Sequence, residues 1–142
     1  MKRTYEEIIK SHKLPDLKQW LSLEDELTER DIRLAFAEKL GNFTELVYVL
    51  TQPEEMVSMS ESALFSEEEH ENLQALYNKL VLLSKDSLLV DIESTPEEEA
   101  ELVIRFAKEW PAIITQIKAI INKTKEAYSG VKATGHDISY LG

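Results

Sequence analysis

The sequence predicts an all-α helical bundle in a single domain covering residues 1–142, and three features point to it. Residues 95–129 repeat their apolar side chains at alternating steps of three and four, the period of one helical face. Helix starts recur upstream, each a Ser or Thr followed three residues later by an acid. Four glycines, four prolines and 43% hydrophobic content describe a folded helical chain rather than a linker or a disordered one.

Taken in order, residues 4–13 read as a short helix with Tyr5, Ile8, Ile9 and His12 on one face. Leu14-Pro15-Asp16 ends it, and Pro15 suits the start of a turn in which Leu17, Trp20, Leu21 and Leu23 cluster. Glu24-Asp25-Glu26 reads as a loop or a solvated face. Thr28, with Asp31 three residues on, caps a helix that turns Ile32, Ala35, Phe36 and Leu40 inward and is expected to stop at Gly41. Residues 43–50 form a further short helix with Phe43, Leu46, Val47 and Leu50 on one side. Residues 53–65, rich in Glu and Ser, are expected to be a link, with Met56 and Met59 packed on the protein itself as adaptable gap-fillers.

Ser66 and Glu69 mark the next start, and Glu67, Glu68 and Glu69 suit the positive end of that helix. Leu73, Leu76, Leu80 and Leu83 carry it on, and residues 84–94 either extend it or form an apolar connector. Thr95, Pro96 and Glu98 open the last helix. Its seam is Ala100, Val103, Ala107, Trp110, Ile114, Ile117 and Ile121, widened by Leu102, Phe106, Ile113 and Ile120. Pro111 has no N–H and crowds the preceding turn, so a kink or break is expected near Trp110. The short connection predicts a C-terminal antiparallel helical hairpin at residues 66–129, packed by short N-terminal helices. Residues 130–142 read as an irregular tail.

The net charge of −11 is concentrated in the middle of the chain, where residues 53–99 carry two Lys/Arg against thirteen Asp/Glu. Such a surface repels phosphate backbones and membrane headgroups and attracts basic proteins. With no cysteine, disulfides, thiol catalysis and cysteine zinc sites are all excluded. No apolar run is long enough to cross a bilayer and no leader pattern follows Lys2-Arg3, so a cytoplasmic protein is expected.

Ala37-Glu38-Lys39-Leu40-Gly41, with Val47 six residues after the glycine, resembles the helix-turn-helix signature of small bacterial and phage repressors. That resemblance implies a nucleic-acid-binding regulator. The segment that would read bases, residues 43–52, has no Arg or Lys, and Glu45 would face the DNA backbone. Glu67-x-x-His70 has the spacing of one half of a carboxylate-bridged metal pair, but neither His12 nor His136 has a Glu three residues before it. Enzyme motifs are absent, and no catalytic residue, cofactor or metal is expected. The function expected is that of a non-enzymatic, acidic protein-protein interaction module, an adaptor, accessory subunit or inhibitor of a basic partner. Its candidate partner-binding residues are Glu67, Glu68, Glu69 and Glu71. The alternatives are the nucleic-acid regulator and a self-associating structural protein whose second copy covers the broad apolar face from Ala100 to Ile121.

Overall fold

A computed structural model describes residues 1–129; the expected tail lies outside the described residues. The elements are β1 (Arg3–Thr4), α1 (Tyr5–His12), a 3-10 turn (Leu17–Gln19), β2 (Glu26–Leu27), α2 (Glu29–Thr51), α3 (Met56–Ser62), α4 (Glu67–Ile92) and α5 (Pro96–Ser129). The protein is an all-α bundle with one minimal antiparallel strand pair, Arg3 opposite Leu27 and Thr4 opposite Glu26.

Among the described residues, local chemistry sets four of the five helix starts. At Thr4/Glu7, Thr28/Asp31, Ser66/Glu69 and Thr95/Glu98 the hydroxyl accepts from the backbone N–H three residues on, and the acid accepts from the N–H of the cap. Each box satisfies two N–H groups that a helix start otherwise leaves unbonded.

Neither of two expected helix breaks occurs. Gly41 lies inside α2, which runs unbroken to Thr51, so the would-be turn of the helix-turn-helix pattern is helix interior. A mid-helix glycine costs about 1 kcal/mol. Leu40, Val47 and Leu50, all buried on either side of it, outweigh that. Pro111 likewise lies inside α5, on its exposed side. Val103, Phe106 and Trp110 before the proline and Ile113, Ile117 and Ile120 after it are all buried, and their burial exceeds the roughly 3 kcal/mol that a helical proline costs. The buried face of α5 is centred nearer the second row of the expected seam, leaving Ile121 exposed.

The expected link at residues 53–65 holds α3, a helix too short for periodicity to reveal. Its end is tied by the Ser62 hydroxyl donating to the Leu50 carbonyl at 2.9 Å and by the His70 Nε2–H donating to the Ser62 carbonyl at 2.9 Å. Met56 and Met59 do not pack inward as expected; they are 83% and 51% exposed. Residues 84–92 continue α4 as helix.

Long α2, rather than a set of short covering helices, is the central element, packing extensively on both α4 and α5. Lys123–Glu69, Lys79–Glu109 and Arg105–Asp86 join α4 and α5 in antiparallel order. At the heart of the core Phe36 meets Phe106 edge-on, with centroids 5.6 Å apart, and Trp110 at 4.7 Å. The N-terminal segment is fastened from two sides. Tyr5 donates to Asp16 at 2.5 Å and accepts from the Leu17 N–H at 2.7 Å. Glu29 receives Arg3 and, at 2.9 Å, His12.

Two predictions follow from these placements. An added Cβ at Gly41 meets nothing within 4 Å, so Gly41→Ala should raise stability by about 0.5–1 kcal/mol in urea unfolding; a loss would mean that α2 is not helical there. Burial alone would raise the pKa of Glu29, but hydrogen bonds from His12 and its own backbone, with the nearby Arg3 charge, outweigh it and hold the pKa below its ordinary 4.5. The stabilisation this gives is complete above about pH 4.5 and is lost as the pH falls through the lower folded-state value. Glu29→Gln should therefore flatten the acid limb of a stability-versus-pH curve below that point, and an unchanged acid limb would contradict the pairing.

Candidate functional site

The four acids singled out from sequence begin α4. Glu67, Glu68 and Glu71 are exposed and accept no side-chain hydrogen bond among the described residues. Glu69 differs: it closes the capping box and pairs with Lys123 at 3.4 Å. The Ser66 backbone N–H is the main cause of its lowered pKa, with Lys123 adding to the effect. Beside it, Phe65, Leu73, Leu76 and Ile120 line a groove of about 300 Å³ between α4 and α5. His70 donates to the Ser62 carbonyl and so ties α4 to α3, and Glu67 takes no part in that contact. Among the described residues no group of three His, Cys, Asp or Glu side chains is placed to hold a metal ion, and no helix is long and apolar enough to cross a membrane.

A polar cluster that sequence reasoning missed lies inside the bundle. Arg33 of α2 is fully buried and makes five hydrogen bonds. Its Nε donates to Glu99 at 2.5 Å and its Nη2 to Asp91 at 2.6 Å and to Glu99 at 3.4 Å. Its Nη1 donates to the Ser87 hydroxyl at 2.7 Å and to the Ser87 carbonyl at 3.2 Å. Arg30 lies 3.6 Å from Asp91 and 3.7 Å from Glu99, so two guanidinium groups face two carboxylates. Burial alone would lower the Arg33 pKa, but its hydrogen bonds and attraction to Glu99 and Asp91 outweigh it, and the net shift is upward. The group is a fixed cation whose donors are taken by α4 and α5, which suits it to tying helices together rather than to proton transfer. The signal in the sequence was a cation beside Ile32 and three residues before Phe36, on the apolar side of α2.

The outer face of the C-terminal half of α4 is the second missed feature. Leu82, Leu88, Leu89 and Ile92 are 65%, 54%, 64% and 80% exposed. Leu89 stands seven residues after Leu82 and three before Ile92, and Leu88 stands four before Ile92, so the four share one side of the helix. The opposite side is already buried through Leu76, Leu80, Leu83 and Ser87. A helix apolar on two sides is normally covered on both, and a cluster of large exposed apolar groups marks an interaction surface more often than scattered single ones do. The stripe is a ridge between two grooves. One, of about 570 Å³, runs between Leu82 and the Arg105–Glu109 turn of α5; the other, of about 370 Å³, runs between Leu88 and Tyr48 of α2. The doublet Leu82-Leu83 is its trace in the sequence, since adjacent residues on a helix point to different sides, but the doublet does not say which leucine faces out.

The chain matches no protein-family model, no curated protein and no solved structure. Its function is therefore read from its own surfaces.

Removing the buried guanidinium by Arg33→Met should cost about 3–5 kcal/mol, because Glu99 is left buried without the donors that bond it, Arg30 standing only at 3.7 Å. Adding Glu99→Leu to that variant should recover much of the loss. Chemical unfolding checks both, and a loss below about 1 kcal/mol for Arg33→Met would contradict the role of the cluster.

Proposed function

We propose that the chain is a non-enzymatic, acidic protein-protein interaction module, an adaptor, accessory subunit or inhibitor, that docks its partner on the outer face of α4. The observation that carries this reading is the exposed stripe Leu82, Leu88, Leu89 and Ile92, a ridge that grooves on either side prepare for the side chains of a partner. The partner surface that fits is apolar at its centre and basic at its edge. Apolar contact then supplies affinity, and charge supplies encounter rate.

Glu67, Glu68 and Glu71 fit the second part. At about 1.5 Å per residue, the middle of that turn lies roughly 27 Å along α4 from the middle of the stripe. That exceeds the screening length of about 10 Å at 0.1 M salt, so these acids steer a basic partner chiefly at low ionic strength. The face from Ala100 to Ile121 that suggested self-association is largely filled from within, with Val103, Ala107, Trp110 and Ile117 all buried. A second copy of this chain remains an alternative occupant of the α4 stripe. For the nucleic-acid alternative, Arg33 is buried against carboxylates and offers nothing to a phosphate, and no turn separates two helices at Gly41.

A tagged full-length chain should capture a partner from source-cell lysate, and binding kinetics with that purified partner should separate the two contributions. Leu82→Ser with Leu89→Ser should leave the helical content intact and speed dissociation at least tenfold. Glu67→Gln, Glu68→Gln and Glu71→Gln together should slow association only at low salt. A stripe variant that binds as tightly as the parent would sink the docking surface, and a concentration-dependent dimer in sedimentation that the stripe variant abolishes would assign it to a second copy.

A further inference from the structure

A second surface, on different elements, has the makings of a small-molecule site. Trp20, which follows the 3-10 turn, Phe43 of α2, and Trp110 and Ile114 of α5 line a cleft of about 290 Å³. Trp110 is fully buried, and Phe43 lies against it with ring centroids 5.8 Å apart. None of the lining residues belongs to α4, so the cleft is separate from the stripe. Its size lies at the low end of ligand pockets and suits one or two fused rings.

Its charge sets it apart from the rest of the molecule. Lys39 of α2 and Lys118 of α5 are its charged lining groups, in a chain whose net charge is −11. Among the described residues neither lysine has a carboxylate within ion-pair distance or lies over an aromatic ring. The other lysines that line the grooves beside α4, Lys79 and Lys123, do have carboxylate partners, apart from Lys85. Trp110 contributes ring surface only: its indole N–H, which lacks an acceptor among the described residues, is closed off from solvent.

We infer that this cleft binds a small planar aromatic carboxylate, its ring among Trp20, Phe43 and Ile114 and its carboxylate between Lys39 and Lys118. Ring stacking supplies the apolar contact, and two ammonium groups select the anion over its neutral analogue.

The chain contains only two tryptophans, Trp20 and Trp110, and both line this cleft, so the two indole N–H signals in a proton–nitrogen correlation spectrum report on it directly. Titrating the full-length protein with 1-naphthoate should move both signals, whereas 1-naphthamide should bind about tenfold more weakly. Lys39→Met with Lys118→Met, which keeps the aliphatic stems, should erase that preference while leaving the thermal melt close to the parent's. The inference is overturned if millimolar naphthoate moves neither signal, if the amide binds equally well, or if the double variant keeps the preference. Since the probe is a free acid and the readout requires no protein partner, failure here leaves the α4 docking surface untouched.

Discussion

One guanidinium with no access to water sets the relative placement of three helices. Arg33 projects from α2 into the seam where α4 and α5 meet, and its donors leave no freedom in how those helices sit: Ser87 and Asp91 fix one, and Glu99 fixes the other. Apolar packing is tolerant of small slides, because a leucine displaced along a groove finds other apolar neighbours. A buried cation is not tolerant, since an offset of one helical turn would strand it without partners. The aromatic group of Phe36, Phe106 and Trp110 fills the space one turn further along α2 from Arg33. Registration by charge and filling by rings are thus neighbouring parts of one interface.

The fold class and the helix starts were legible in the sequence because both depend on short-range chemistry. Thr28, Ser66 and Thr95 each announce a start through a hydroxyl and an acid three residues on, and the bonds they form are those the pattern implies. Stops were legible only in part: α1 ends before Leu14-Pro15 as expected, but two others were misread. Gly41 and Pro111 carry local penalties of one to a few kcal/mol, and tertiary burial on both sides of each exceeds them, which no short window can reveal. The Glu- and Ser-rich segment before Ser66 hid a helix for the opposite reason, because α3 spans only seven residues and turns its methionines outward.

The candidate surfaces were harder to see. Glu67, Glu68 and Glu71 are accessible as their composition suggested, but Glu69 is committed to its cap and to Lys123. The apolar stripe of α4 could not be separated from core-forming residues, since Leu82 and Leu83 read alike until the structure places one outside and the other inside. The aromatic cleft joins Trp20, Phe43 and Trp110, residues far apart in the chain, and a single sequence contains no signal for that meeting.

The ends of the helices differ from their starts. Neither α2 nor α4 has a basic residue in its last turn, so their final carbonyls lack the favourable charge that the acids give their first N–H groups. Helices of this kind open from the C-terminal end, and in α4 that end bears the exposed leucines. Ser87 and Asp91 lie within this stretch and are gripped from inside by Arg33. A charge hidden from solvent thereby keeps an outward-facing surface rigid. A molecule settling on that surface would meet a helix already formed, and little of the binding free energy would be spent on ordering its backbone.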